Sequence, residues 1–242
     1  MPTEVVAHRG SPRELHENTL ESFARALEHE ADGIELDVHG TRDGVVVVHH
    51  DPSLHLNGSQ AGAPRQAIAQ LDLAAVRSAS LPGGLRVPTL DEVLELVDTR
   101  AKVYVEIKSR GIERPVVEVI RRHPTRCAVH SFDHRIVRAV KELAPDLRTG
   151  VLQTSYLIDT VSAMRAAGAT DLWQQCEYID EPLLRTIHEA GGRVIAWTVN
   201  GWAAARELAD MGVDAICTDV TPTVRESLGL PTAQSPVRGA AG

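Results

Sequence analysis

Apolar residues recur along this chain in two alternating rhythms. Val5, Val6 and Ala7 form a short continuous run that reads as a buried strand. Leu20, Phe23, Ala24 and Leu27 then fall at i, i+3, i+4 and i+7 and predict a helix over 18–30. Asn18 is its expected N-cap, with Glu21 three residues on as the capping-box partner. A strand follows over 33–38, and a β-branched strand over 45–49 after a turn at Asp43-Gly44. Beyond a long aperiodic stretch the alternation resumes. Helices are expected over 90–97 (capped by Thr89), 113–122, 133–143, 158–167, 181–190, 202–211 and 223–228. Strands are expected between them over 102–107, 126–130, 147–152, 171–174, 193–199 and 215–218.

With the 45–49 strand counted as an extra, this makes eight βα units. Their helix-to-strand junctions resemble one another: Glu30-Ala31-Asp32-Gly33-Ile34, Gly168-Ala169-Thr170-Asp171-Leu172 and Gly212-Val213-Asp214-Ala215-Ile216. Small residues stop each helix and an apolar strand follows. Eight such units in succession predict an α/β fold, a (β/α)8 TIM-type barrel. An open doubly wound sheet is the alternative, but no G-x-G-x-x-G or G-K-[ST] follows any strand. The stretch 52–88 is broken by Gly58, Gly62, Pro64, Pro82, Gly83, Gly84 and Pro88, with one short helix expected over 71–78. It is too short for a core of its own and reads as an insertion after the second strand region. Residues 1–230 are therefore expected to form one domain, with 231–242 as a flexible tail.

Length and charge narrow this further. The 242 residues fit one barrel, for which about 250 is typical. Thirty-three Asp+Glu against 25 Lys+Arg give a net charge of −8, which disfavours non-specific nucleic-acid binding. No apolar run approaches the ~20 residues of a membrane span, so no stable membrane anchor is expected. The start at Met1-Pro2-Thr3-Glu4 has no basic, then apolar, leader pattern, so no signal peptide is expected. Cys127, Cys176 and Cys217 form no C-x-x-C; they are expected to be inert core residues of a reduced, cytoplasmic protein. The oligomeric state is left open by the sequence.

In such barrels the chemistry lies at the C-terminal ends of the strands. The polar residues there are His8-Arg9, Glu35 and Asp37, His49-His50-Asp51, and Glu106 with Lys108. Glu35 and Asp37 are two apart on a strand, so both face the same side while Leu36 faces the helices. Two carboxylates aimed together repel unless a cation lies between them. Glu106 and Lys108 repeat the spacing. Three carboxylates without a Cys or His ligand pattern suit a hard ion, Mg²⁺ or Ca²⁺; salt-bridged strand ends are the other reading. His8 and His50 each end a strand and are candidates for general acid and base. Arg9 and Lys108 beside them make an anion site that fits a phosphate. By alternation His49 points away from His50. His39, His55 and the remaining histidines are expected at the surface.

The ordered set of motifs resembles the glycerophosphodiester phosphodiesterase family. It runs from His8-Arg9-Gly10 through Glu17-Asn18-Thr19, Ile34-Glu35-Leu36-Asp37-Val38, Thr41-Arg42-Asp43-Gly44, His50-Asp51 and Pro88-Thr89-Leu90. It continues through Glu106-Ile107-Lys108, Ser131-Phe132, Trp197-Thr198-Val199-Asn200 and Thr218-Asp219. The resemblance implies a barrel with a small insertion after the His50 strand and a divalent cation. It places catalytic histidines at His8 and His50, metal carboxylates at Glu35, Asp37 and Glu106, and phosphate contacts at Arg9 and Lys108. The chain departs at His16, where the family has Pro, and at Leu54-His55-Leu56-Asn57-Gly58, where it often has Leu-x-Arg-Thr-Thr. That second departure, with the short insertion, falls on the wall expected to meet the alcohol. Trp197 is expected either as an apolar platform for glycerol or a head group, or as a core residue ending the seventh strand. Glu17 either supports the site by hydrogen bonds or favours the helix dipole.

The implied activity is metal-dependent hydrolysis of a small-molecule glycerophosphodiester to sn-glycerol 3-phosphate and an alcohol, with His8 as base and His50 as acid. One alternative is a lysophospholipase D-like enzyme of the same barrel type. It needs an apolar groove, against which stand only two Phe, three Trp and three Tyr and no amphipathic membrane helix. The other is a non-catalytic barrel binding a phosphorylated metabolite, which would be expected to lack one of the histidines or carboxylates present here.

Overall fold

The computed structural model describes residues 2–56, 64–79 and 81–232. In chain order the elements are β1 (Glu4–His8), α1 (Leu20–Glu28), β2 (Gly33–Gly40), β3 (Val46–Val48), β4 (Ser53–Leu54), β5 (Gln66–Ala67), α2 (Leu73–Ser78) and α3 (Leu90–Val97). Then come β6 (Lys102–Ile107), α4 (Glu113–Ile120), β7 (Cys127–Ser131), α5 (His134–Leu143), β8 (Arg148–Gln153) and α6 (Thr160–Ala167). The chain ends with β9 (Asp171–Gln175), α7 (Glu181–Glu189), β10 (Arg193–Trp197), α8 (Trp202–Met211), β11 (Ala215–Thr218) and α9 (Thr221–Ser227).

Local chemistry sets the element ends. Side-chain carboxylates of Asp72, Asp133, Asp159 and Asp180 cap α2, α5, α6 and α7. Gly168 and Gly212 end α6 and α8 in the left-handed conformation. The start of α1 differs from expectation. Its N-cap is Thr19, which accepts from the Ser22 amide, while Asn18 sits at φ 56 with its side chain engaged elsewhere.

Parallel pairing runs β1–β2–β6–β7–β8–β9–β10–β11, and β11 pairs back to β1, closing a barrel of eight parallel strands. The β3 strand joins outside this ring, antiparallel to β2. Val6, Tyr104, Trp173, Ile195 and Cys217 fill the interior. Below them Glu4 meets Lys102, the Tyr104 hydroxyl at 2.8 Å and Arg193 at 3.2 Å, forming a charged floor at the N-terminal ends. Two apolar layers separate the strands from the helices, one around β2, β6 and α3 and the other around β9, β10 and α7.

The insertion holds the β4–β5 pair and α2, and it does bury an apolar cluster, including Leu54, Ile68 and Val76, completed by Val47 of β3. Part of it, 57–63, and the expected tail from 233 onward lie outside the described residues. Cys217 is buried, whereas Cys127 and Cys176 are partly buried and pack against the two apolar layers. Among the described residues no helix is long and apolar enough to cross a membrane.

Candidate active site

The register aligns the chemistry at one level of the barrel: His8 lies beside Glu35, Asp37 beside Glu106, and Glu106 beside His130. The chain leaves β1 through a tight turn in which Arg9 (φ 54) and Gly10 (φ 91) are both left-handed. Gly10 has no substitute here. A Cβ on it would lie 2.4 Å from Ser22 Oγ. The turn is tied by the Arg9 amide donating to the Glu35 carbonyl at 2.9 Å.

This turn lays the Arg9 guanidinium across Asp37, with Nε 3.0 Å from Oδ2, and against Glu17, with Nη1 3.1 Å from Oε1. The buried Asp37 also receives Asn18 Nδ2 at 2.8 Å on Oδ2 and Lys108 Nζ at 2.9 Å from Oδ1. Burial disfavours its charge, but Lys108 and Arg9 outweigh that and hold its pKa well below the carboxylate range. Lys108 reaches Glu106 at 2.8 Å as well. Glu106 is nonetheless pushed up to about 6 by burial, with the charges of Asp37 and Glu35 adding to the push.

His8 and His50 are held alike. His8 Nδ1 lies 2.7 Å from Asp219 Oδ1, and Asp219 is fixed by Asn200 Nδ2 at 2.7 Å. Burial works to lower the His8 pKa, but Asp219 and Glu35 prevail and raise it. His50 Nδ1 lies 3.1 Å from Asp51 Oδ1, whose other oxygen pairs with Arg65 at 2.8 Å. His39 is not at the surface as expected: it is buried, with Nε2 3.1 Å from the His50 carbonyl. Burial lowers the His49 pKa to about 4, leaving it neutral.

His130 is the second histidine the surface expectation misplaced. It is buried and stacks on Trp173, with centroids 4.1 Å apart and planes at 6°. One donor atom each from Glu35, Glu106 and His130 lie within 4.8 Å of one another. This compact buried set fits a divalent ion, because two carboxylates and an imidazole are all metal donors. Asp37 lies beside this set, joined to Glu106 through Lys108.

One pocket gathers His8, Arg9, Glu35, His50, Glu106, Lys108 and His130, with Phe132, Trp173 and Trp197 as apolar walls. Trp197 meets Phe132 edge-on at 5.5 Å and packs its inner side against the interior cluster of the barrel. Seven of the eight expected site residues thus line this pocket, and Asp37 is held against it by Arg9 and Lys108. Three residues were not singled out by sequence reasoning. Asp219 lay within a recognised motif without a role, Asn18 was read only as the N-cap of the first helix, and the only sign of His130 was its place one strand beyond Glu106.

The chain is similar to known proteins along most of its length. Residues 8–223 match the model of the glycerophosphoryl diester phosphodiesterase family. A glycerophosphodiester phosphodiesterase of Caldanaerobacter subterraneus subsp. tengcongensis is 34% identical, over 93% of this chain and 97% of that protein. A probable glycerophosphodiester phosphodiesterase 2 of Mycobacterium tuberculosis is 32% identical, over 93% and 90%. A crystal structure of a putative glycerophosphoryl diester phosphodiesterase from Silicibacter pomeroyi superposes with a TM-score of 0.84 at 28% identity, covering 95% of each chain. A phosphodiesterase from Oleispira antarctica, in complex with the product sn-glycerol-3-phosphate, gives 0.84 at 25% identity, covering 94% and 97%.

Proposed function

The chain belongs to the glycerophosphoryl diester phosphodiesterase family, and on that premise we propose that it hydrolyses glycerophosphodiesters to sn-glycerol 3-phosphate and an alcohol by two-histidine catalysis. One observation carries this reading. Each histidine is paired through Nδ1 with a carboxylate, His8 with Asp219 and His50 with Asp51, on the walls of one pocket that also holds two cations. An Nδ1–H donated to a carboxylate leaves Nε2 facing the substrate.

His8 Nε2 takes the proton of the substrate's glycerol 2-hydroxyl as that oxygen bonds to phosphorus. The bond from phosphorus to the alcohol oxygen breaks, and His50 donates its proton to that oxygen. Water then opens the resulting cyclic phosphate with the two histidine roles reversed, which gives sn-glycerol 3-phosphate and returns both rings to their starting protonation. Arg9 and Lys108, aligned by Asp37, offer positive charge to the non-bridging oxygens. Glu35 and Glu106 would hold a divalent cation, Mg²⁺ or Ca²⁺, which would supply Lewis-acid stabilisation of the charge on the phosphoryl group. Trp197 and Phe132 give the glycerol or head group an apolar face. The product bound to the Oleispira antarctica phosphodiesterase supports sn-glycerol 3-phosphate as the retained half.

The test is turnover of glycerophosphocholine and glycerophosphoethanolamine with Mg²⁺, with Ca²⁺ and with EDTA, detecting glycerol 3-phosphate. EDTA is expected to abolish turnover. His8→Ala and His50→Ala are each expected to lose about 10²–10⁴ in rate. Near-full activity of either variant would sink the acid–base assignment, and indifference to EDTA the metal role. A second reading, a diester bearing an acyl chain, is favoured by the exposed apolar residues Phe132, Tyr156, Leu157, Ile158, Tyr178 and Trp202. All of them follow β7, β8, β9 or β10 at the end of the barrel where the site lies.

A further inference from the structure

We infer that Arg65, carried by the insertion, is a positioning residue for His50: it holds Asp51 where Asp51 keeps the His50 ring turned toward the leaving oxygen. The inference rests on the reading above, in which His50 is the acid, and adds to it the group that keeps the acid aimed.

The backbone and the ring of His50 are held by different means. The His49 amide donates to the Asp37 carbonyl at 2.9 Å, and the His50 carbonyl lies 3.1 Å from His39 Nε2, so the strand end is fixed. The ring is 37% exposed, and its Nδ1 rests on Asp51 Oδ1 at 3.1 Å. Asp51 is itself 46% exposed. A carboxylate so open to water keeps its rotamers unless something else orders it, and the ring moves with it. The partner of His8 is better sheltered: Asp219 is 18% exposed and accepts from Asn200 Nδ2 at 2.7 Å.

Arg65 supplies the missing order. Its Nη2 lies 2.8 Å from Asp51 Oδ2, and Nε and Nη2 both donate to the Ser53 carbonyl, Nε at 3.1 Å. A planar guanidinium fixed on a main-chain oxygen has little freedom left to lose when it also binds a carboxylate. The hairpin of the insertion carries Arg65 to this place. Gln66 and Ala67 pair with Leu54 and Ser53, the Ile68 amide donates to the Pro52 carbonyl at 2.9 Å, and Leu54 and Ile68 are buried in one cluster with Val47 of β3. Packing of the insertion on the barrel thus reaches the ring through Arg65 and Asp51. What the ring's aim controls is proton delivery: choline is a poor leaving group until its oxygen is protonated, whereas a nitrophenolate departs without a proton.

Two substrates therefore separate this role from a structural one: glycerophosphocholine and the p-nitrophenyl ester of sn-glycerol 3-phosphate, with release of the alcohol followed over a single turnover. Arg65→Ala is expected to slow choline release by about three- to tenfold, the range for a half-exposed charged contact, and to leave nitrophenolate release within about twofold. Arg65→Lys, which keeps the cation without the fork, should recover part of the lost rate. In a His50→Ala background Arg65→Ala should cost nothing more, because it acts only through that ring. Equal loss on both substrates, loss on neither, no recovery by lysine, or a further loss in the His50→Ala background would each overturn the inference and leave the acid assignment standing. If His50→Ala slows both esters equally, the acid role itself fails and takes the inference with it.

Discussion

Asp219 reaches the reaction only through His8. Its carboxylate accepts from His8 Nδ1 and is itself oriented by Asn200. The Asp219→Asn substitution keeps the size but can turn an N–H toward Nδ1, favouring the tautomer whose Nε2 carries the proton. A base in that form cannot accept. We expect kcat to fall by about 10²–10⁴ with KM within a few-fold, as in catalytic triads with the corresponding change. A kcat within threefold of the parent enzyme would show that Asp219 does not set the tautomer. The strand-end pattern made much of this site legible: i, i+2 spacing alone put Glu35 and Asp37 on one face. It did not say which carboxylate would be covered by cations, because Lys108 and Arg9 arrive from other strands. Nor did it find His130. Alternation within β7 turns that residue inward, but only the pairing of β7 with β6 places it beside Glu106.

Elements were legible where their stop and start signals are local. The α3 helix, Leu90–Val97, begins with a full capping box: Thr89 Oγ1 accepts from the Glu92 amide at 3.2 Å, and Glu92 Oε2 accepts from the Thr89 amide at 2.8 Å. The helix buries Leu90, Val93, Leu94 and Val97 against the barrel, so its eight residues depend on both the cap and that face. The Thr89→Ala substitution is expected to cost about 0.5–2 kcal/mol. In a chain this long, that lowers Tm by roughly 2–4 °C per kcal/mol. Urea and thermal unfolding would measure it, with turnover per folded molecule unchanged; an undisturbed midpoint would mean the packed face alone holds the helix. The start of α1 shows where local signals mislead. Asn18 is the better N-cap by type, yet its amide goes to Asp37 and the cap passes to Thr19. A tertiary partner overrode the propensity, and sequence spacing carries no record of that partner.

For the whole molecule, eight repeats of strand and helix announced a closed barrel, since each unit buries only one face and needs neighbours on both sides. Closure also creates something the linear chain hides. Phe132, Tyr156, Leu157, Ile158, Tyr178 and Trp202 are spread over some seventy positions, yet they follow β7, β8, β9 and β10, which are successive neighbours in the sheet. Following adjacent strands, these exposed residues would form an apolar arc on one side of the mouth, which Phe132, edge-on to Trp197, would join to the pocket. An arc of this kind marks an interaction surface. Tyr and Trp suit a boundary between water and lipid, and Leu157 and Ile158 suit an acyl chain. Asp159, Glu177, Asp180 and Glu181 flank it, which disfavours an anionic lipid and favours a zwitterionic one. A 1-acyl-glycerophosphocholine would then place its head and phosphate in the pocket and its chain along the arc. The double substitution Leu157→Asp, Ile158→Asp lies outside the pocket and should leave glycerophosphocholine turnover unchanged. On the acylated substrate it should lower kcat/KM by about tenfold or more, since each buried methylene contributes about 0.8 kcal/mol. Equal loss on both substrates, or none on either, would remove the acyl chain from the reading and leave the water-soluble diester as the substrate.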